Sequence, residues 1–239
     1  PLVVDDAGTV VPGTGELEAG LYFESHSDVR HFDVPFGLTC GVARSLEVSL
    51  GFGGRIDQRE EMFGGVRTHS SLGDLVLGLK WNPLSEINHG ASHALALGVK
   101  FPTADAENGL GSGETDFDVT YIVSRNITDQ WSVHLNLGYT FVGESAEDRD
   151  DDDFHSGVAV AYRITDTIEL VAEIYSDVPT YHLEDSAATF AGGVRWNACE
   201  AVIIDAAIGT EVYGHAPEFL ATAGFTWEFG LLPNRKNRD

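Results

Sequence analysis

The sequence predicts an all-β fold, a twelve-stranded antiparallel transmembrane up-and-down β-barrel. Three observations predict it: apolar residues recur with period two, connections alternate between short and long, and tryptophan gathers at one set of strand ends. The segment Trp131 to Phe141 shows the period most clearly. Its odd positions are Trp131, Val133, Leu135, Leu137, Tyr139 and Phe141, and its even positions are Ser132, His134, Asn136, Gly138 and Thr140. Successive side chains of a strand point to opposite faces, so this pattern makes one oily face and one polar face. A helix cannot sort these residues to one side.

The same pattern gives strands at 15–25, 31–43, 46–55, 72–82, 92–101, 115–125, 131–142, 154–164, 168–176, 187–196, 201–209 and 217–229. Residues 1–14 are an N-terminal periplasmic segment or a lumen plug, 15–229 are the barrel, and 230–239 are a basic periplasmic tail. Short connections at Arg44-Ser45, 126–130, 165–167 and 197–200 alternate with long or acidic ones at 56–71, 102–114, 143–153, 177–186 and 210–216. Short turns at one end and long loops at the other are the pattern of outer-membrane barrels. An even strand number places both termini on the periplasmic side.

Aromatic residues give an independent reading. Trp81, Trp131, Trp196 and Trp227 fall at periplasmic strand ends, whereas Phe32, Phe52, Phe101, Phe117, Phe141, Phe154 and Phe219 fall at the outer ends. Bilayer interfaces select two such girdles, and tilted strands of about ten residues cross an apolar band about 25 Å tall.

The girdles and the density of charge on the other face point the apolar face outward and leave a polar lumen. In this register Arg55, Asp74, Lys100 and Asp116 occupy four consecutive strands with alternating sign. Glu47 faces Lys80 nearer the periplasm, and Arg163, Glu169 and Arg195 run in series. Opposite charges on facing positions stabilise a sheet by about 0.2–1 kcal/mol per pair. Glu18, Glu24, Asp33 and Glu228 are left without a facing cation, which makes one wall acidic and favours cations in an open pore.

Composition bounds the function. In 239 residues, 14 Lys and Arg stand against 38 Asp and Glu, a formal net charge of −24. That excludes the basic footprint of a nucleic-acid binder and opposes docking on an anionic membrane surface. No apolar run approaches the length of a membrane helix, but a barrel dilutes its apolar residues with polar ones and needs none. The start at Pro1 reads as a mature, exported chain. Cys40 lies on the second strand and Cys199 in the turn after the tenth, four places away around the ring, and they are expected to remain unpaired within the chain.

Three segments carry a further signal. They are Gly73-Asp-Leu-Val-Leu-Gly-Leu-Lys-Trp81, then Lys100-Phe-Pro-Thr-Ala-Asp105, then Gly111-Ser-Gly-Glu-Thr-Asp116, with Gly138-Tyr139 beyond them. Their order resembles the outer-membrane transporter family labelled "putative MetA-pathway of phenol degradation", with Ala104 where glycine is common. The resemblance covers roughly 70–229. It implies an outer-membrane channel for passive uptake of small molecules, with aromatic or other hydrophobic compounds as candidate permeants, and it carries over no binding residues.

Two readings from other classes stand beside the channel: a closed structural or partner-binding barrel in a cell-surface assembly, and a barrel hydrolase. The residues oppose the hydrolase. His155 and Ser156 are adjacent and point to opposite faces, and His134 and Asn136 share a face without a serine expected beside them. A serine nucleophile needs its base within hydrogen-bond reach. No cofactor is expected. The acidic run containing Asp150, Asp151, Asp152 and Asp153 offers carboxylate oxygens for loosely bound Ca²⁺ or Mg²⁺, bridging to lipopolysaccharide phosphates. Expected partners are outer-membrane lipid and lipopolysaccharide, a small-molecule permeant, and a protein in the lumen or periplasm. Nucleic acid is not among them.

Overall fold

The structure is a computed structural model that describes residues 3–27, 29–62, 65–85, 89–104, 113–143 and 152–231, without the side chains of 54–69 and 71. Its strands are β1 (Thr14–Ser25), β2 (Val29–Ala43), β3 (Leu46–Met62), β4 (Gly65–Leu72), β5 (Leu75–Leu84), β6 (Ser92–Phe101) and β7 (Asp116–Asn126). They continue as β8 (Trp131–Phe141), β9 (Asp153–Arg163), β10 (Ile168–Pro179), β11 (Ala187–Cys199), β12 (Val202–Gly214) and β13 (Phe219–Gly230).

Chain neighbours pair antiparallel all the way round, and β1 pairs with β13 from Thr14↔Gly230 to Ser25↔Phe219, so the sheet closes. Twelve staves make the ring, because β4 and β5 share one. The outer part of β3, Arg55–Met62, pairs with β4, and its inner part, Leu46–Phe52, pairs with β5. The strand expected at 72–82 is therefore broken at Gly73-Asp74, where Gly53 N–H donates to the Asp74 carbonyl at 3.2 Å. β3 and β12 run furthest past their expected ends, to Met62 and Gly214. Beyond the aromatic ends no apolar face is required, so Asp57-Gln-Arg-Glu-Glu61 extends a hairpin on ladder hydrogen bonds without alternating.

The polar face is the inner one. The N-terminal segment touches Glu47 on β3, Lys80 and Asn82 on β5, Ser124 on β7, Asn136 on β8 and Glu173 on β10. A single segment reaches that many staves through one face only from inside a closed ring. The opposite face carries Leu21, Leu77, Tyr121, Leu137, Val158, Leu170, Phe190 and Ile208, all exposed. A continuous apolar belt of this extent is incompatible with water and fits the hydrocarbon of a bilayer. Trp81, Trp131, Trp196 and Trp227 are likewise exposed, each at a strand end beside a short turn. Cys40 and Cys199 are both free thiols, on strands four staves apart.

Lipid contact sets the cost of a charge on the outer face. Leu137→Arg, at mid-strand, should destabilise the barrel by about 2–4 kcal/mol, and Phe141→Arg, at the strand end, by about 0–1 kcal/mol. Reversible denaturant unfolding in lipid vesicles measures both. Equal costs at the two positions would contradict the bilayer assignment.

Candidate lumen and selectivity site

The lumen is built from three layers of side chains. At the long-loop end, Lys100 Nζ lies 3.6 Å from Asp74 Oδ2 and also pairs with Asp116. Both carboxylates are tied further: Asp74 Oδ1 accepts the Thr103 and Ala104 amides, each at 2.8 Å, and Asp116 Oδ1 accepts the Gly143 amide at 3.0 Å. The expected alternation of sign is thus present at Asp74, just before β5, and on β6 and β7, and the two acids also hold the Thr103, Ala104 and Gly143 amides. Arg55 stands opposite Leu72, and its side chain lies outside the described atoms. Glu24 accepts the Tyr22 hydroxyl at 2.7 Å and has His26 Nε2 at 3.5 Å and His31 Nε2 at 4.0 Å, so it is not the isolated acid that strand register suggested. Asp33 faces Tyr22 across the β1–β2 ladder.

The middle layer holds two histidines. His155 Nε2 lies 2.7 Å from Asp118 Oδ2, and Asp118 also accepts the Thr120 and Thr140 hydroxyls. Ser124 Oγ is 2.8 Å from His134 Nδ1 and Ser132 Oγ is 3.2 Å from Nε2. The expectation that no serine stands beside His134 is therefore corrected. Ser124 lies directly across the β7–β8 ladder, a position that strand spacing shows only once register is known. Both imidazole nitrogens face hydroxyls and no carboxylate orients the ring, so this is a hydroxyl–imidazole chain without the acid of a triad. On the outer surface, His93 Nδ1 meets the Tyr121 hydroxyl at 2.6 Å.

At the short-turn end the N-terminal segment lies against the inner wall as a strap. Apart from one parallel bridge between Pro12 and Gly41 of β2 it joins no strand among the described residues, and lumen side chains bond much of its backbone. Glu173 accepts Val3 N–H at 2.8 Å and Val4 N–H at 3.3 Å. Asn136 accepts Asp5 N–H at 2.7 Å and donates to the Asp5 carbonyl at 2.9 Å. Ser124 accepts Ala7 N–H, Asn82 donates to the Ala7 carbonyl, and Glu47 accepts Val10 N–H at 2.6 Å. Lys80 Nζ lies 3.1 Å from both Asp5 Oδ2 and Glu47 Oε1. Two glycines make room: a Cβ at Gly157 would meet Val4 Cγ2 at 2.6 Å, and one at Gly41 would strike the Val10 and Val11 carbonyls.

Beside the strap is a cavity of about 710 Å³ whose walls include Glu16, Glu18, Glu228, Lys80 and Arg195. The side chains of Glu16, Glu18 and Glu228 make no hydrogen bond or ion pair among the described residues, whereas Lys80 is committed to Asp5 and Glu47, and Arg195 to Glu169 at 3.6 Å. The free charge on this wall is negative.

The family profile described as "Putative MetA-pathway of phenol degradation" matches residues 3–229, strap included. The chain belongs to this family. Its fold is that of bacterial outer-membrane barrels. An outer-membrane channel from Pseudomonas putida F1 superposes at TM-score 0.77 with 13% identity, over 94% of this chain and 98% of that one. The NanC porin gives 0.64 and 11%, over 88% and 98%, and the CymD monoaromatic hydrocarbon channel gives 0.52 and 9%, over 92% and 90%. No curated protein sequence matches the chain.

In this member of the MetA-pathway family the acidic loop divides. Asp150 and Asp151 lie outside the described residues, and Asp153 opens β9. Asp152, just before β9, is tied to the end of β8: its carboxylate accepts the Val142 amide and the Tyr139 hydroxyl, each at 3.0 Å. Among the described residues no group of three or more His, Cys, Asp or Glu is spaced for a metal ion. The strap's polar partners Asn82, Ser124 and Asn136 are the functional residues that sequence reasoning missed. They carry no charge and sit at ordinary inward positions.

One strap carboxyl titrates with docking. Burial works to raise the Asp6 carboxyl, but the Lys80 ammonium and the Gly8 amide outweigh it and hold the group below its ordinary value. A group depressed in the docked state supports docking above its ordinary value, and that support is lost as pH falls through the depressed one. A spin label on Thr9→Cys, with Cys40 and Cys199 replaced by Ser, should be immobile at neutral pH and gain mobility below pH about 4. Asp6→Asn should shrink the acid step. Identical spectra at both pH values would refute the linkage.

Proposed function

We propose that this barrel is an outer-membrane channel for passive uptake of small molecules, with both termini periplasmic, and that the strap sets its bore. The observation that carries the reading is the lumen itself. A closed, polar-lined ring holds a strap fixed by side chains from five staves, and a cavity of about 710 Å³ stays open beside it. A barrel serving only as a scaffold gains nothing from a ligand-sized, charged chamber, since unpaired carboxylates cost stability when water is scarce. Family membership supports the same reading, and aromatic compounds enter as permeants through the family's description and the likeness in fold to a monoaromatic hydrocarbon channel. Lipopolysaccharide and outer-membrane lipid are the proposed surroundings of the apolar belt, with loosely held Ca²⁺ or Mg²⁺ at the acidic loops bridging to phosphates. No residue set among the lumen side chains supports a hydrolase better than it supports this channel.

The test is single-channel recording in planar bilayers. The native barrel should conduct weakly and prefer K⁺ in a KCl gradient, because Glu16, Glu18 and Glu228 face the cavity unpaired. Gly157→Leu, which pushes Val4 off the wall, should raise conductance several-fold. Replacing Glu16, Glu18 and Glu228 by Gln should bring the reversal potential toward zero. A barrel that stays silent after Gly157→Leu would favour the closed, partner-binding reading, and an anion preference would contradict the acidic wall.

A further inference from the structure

A second cavity of about 200 Å³ lies deeper in the lumen, between the strap and the sector formed by β1, β2, β11, β12 and β13. Its walls are mainly apolar: Val3 of the strap, Pro35, Ala191, Ala207 and Leu220 line it. Leu220 and Ala191 are each 1% exposed, so the floor of the slot lies in the wall, while Val3 and Pro35 are exposed. An apolar cavity of about 150 Å³ is enough to hold a benzene ring. This slot has room for one ring and a short arm.

The slot's polar edge has one charge to spare. Asp205 lines it, lying over Gly224, where a Cβ would meet Asp205 Oδ1 at 2.6 Å. Its side chain makes no hydrogen bond or ion pair among the described residues. Arg195, opposite it in the β11–β12 ladder, acts on it electrostatically at longer range but places its guanidinium in the ion pair with Glu169 at 3.6 Å. The other carboxylate at the slot, Glu173, is committed to the Val3 and Val4 amides. Tyr22, also at the edge, gives its hydroxyl to Glu24. A neutral aromatic compound would fill the apolar walls and leave Asp205 dehydrated and unpaired, which is costly. An aromatic anion would meet Asp205 and Glu173 with like charge. An ammonium group on a short arm satisfies Asp205 while its ring occupies the walls.

We propose that this slot binds small organic cations that carry a single ring on a short arm, arylalkylammonium ions, with Asp205 as the residue that selects the charge. The inference deepens the channel reading, since a slot in the lumen lies where a permeant passes. It gives that reading a substrate class set by charge as well as by shape. Val3 forms part of the slot, so the strap both narrows the lumen and completes the site.

The experiment measures binding and conductance separately on the full chain. The purified barrel in detergent is titrated calorimetrically with benzylammonium, benzyl alcohol, benzoate and methylammonium, each against empty micelles. Benzylammonium should bind about tenfold or more tightly than any of the other three, as expected for a charge-assisted contact to a carboxylate. Asp205→Asn should bring benzylammonium down to the level of benzyl alcohol, and Asp205→Glu should restore most of the difference. Leu220→Trp, which fills the slot, should abolish binding of both. Far-UV circular dichroism and heat-modifiable gel mobility confirm that each variant is a folded barrel. Equal affinities for benzylammonium and benzyl alcohol, or an unchanged benzylammonium affinity in Asp205→Asn, would overturn the proposal. A barrel that binds benzylammonium as expected but does not conduct would overturn the channel reading and leave the slot intact. A conducting barrel without charge preference in binding would do the reverse.

Discussion

A chain that crosses hydrocarbon must satisfy every backbone N–H and C=O within itself, and the β1–β13 ladder is where this chain meets that demand. The ladder runs from Thr14↔Gly230 to Ser25↔Phe219 without a register shift. Once it closes, the ring of twelve staves has no open side, with only β4 left as an edge beyond it, and every other side chain is committed to lipid or lumen. A slip of one residue would turn Glu16, Glu18 and Glu228 out to the bilayer and Leu17, Leu21 and Trp227 into the lumen. The inward acids therefore help to fix the register that puts them inside. A charge in hydrocarbon costs more than any facing ion pair returns.

The same demand explains the strap. A segment that enters the lumen and meets the sheet only at one bridge, Pro12 to Gly41, has amides and carbonyls to satisfy, and side chains must supply the partners. Both oxygens of Glu173, both polar atoms of Asn136, Ser124 and Glu47 do so. This divides the lumen acids into two groups. Glu47, Glu173, Asp74, Asp116 and Asp118 are held by amides, hydroxyls or cations. Among the carboxylates that line the two larger cavities, Glu16, Glu18, Asp205 and Glu228 are unengaged, and they lie on β1, β12 and β13. Engaged acids fix shape, and unengaged ones set the field. Only the second group can respond to a permeant without loosening the barrel.

How much of this was legible in the sequence follows from what each feature depends on. Period two is local, so the strands, the outward set from Trp131 to Phe141 and the four tryptophans at short-turn ends could be read directly. Cross-strand pairs need register as well. Lys80 with Glu47 and Lys100 with Asp116 were legible because they sit at matching depths in adjacent strands of clear alternation. The pair Ser124 with His134 escaped because a serine leaves no charge signal. The break at Gly73-Asp74 escaped because Leu72 continues the alternation past it, and only the Asp74 contacts with Gly53, Thr103 and Ala104 show why the stave divides. The β3–β4 hairpin escaped because segments that do not face lipid need not alternate. The strap's path was not readable at all. Its larger apolar residues, Leu2, Val3, Val4, Val10 and Val11, say that it wants burial, but the place is set by Gly41 and Gly157, far apart in the chain.

The lumen consequently has two unlike sides. From β3 to β10 the wall is occupied by the strap and its partners, and Lys80 has its charge neutralised by Asp5 and Glu47. Across from it, the sector from β11 through β13 to β1 and β2 carries the unengaged acids and the apolar slot. On the channel reading a permeant moves along this second sector, because it carries the apolar slot and the unengaged acids, whereas the first is largely taken up by the strap and its partners. The sector combines small inward residues (Ala191, Ala207, Gly224) with isolated carboxylates. Small residues create volume but no polarity, and isolated carboxylates create polarity but little volume. A route built from both accepts molecules with an apolar body and a positive end, and it does so without any side chain having to leave a partner. That economy is open to this barrel because the strap takes up the acids on the other wall.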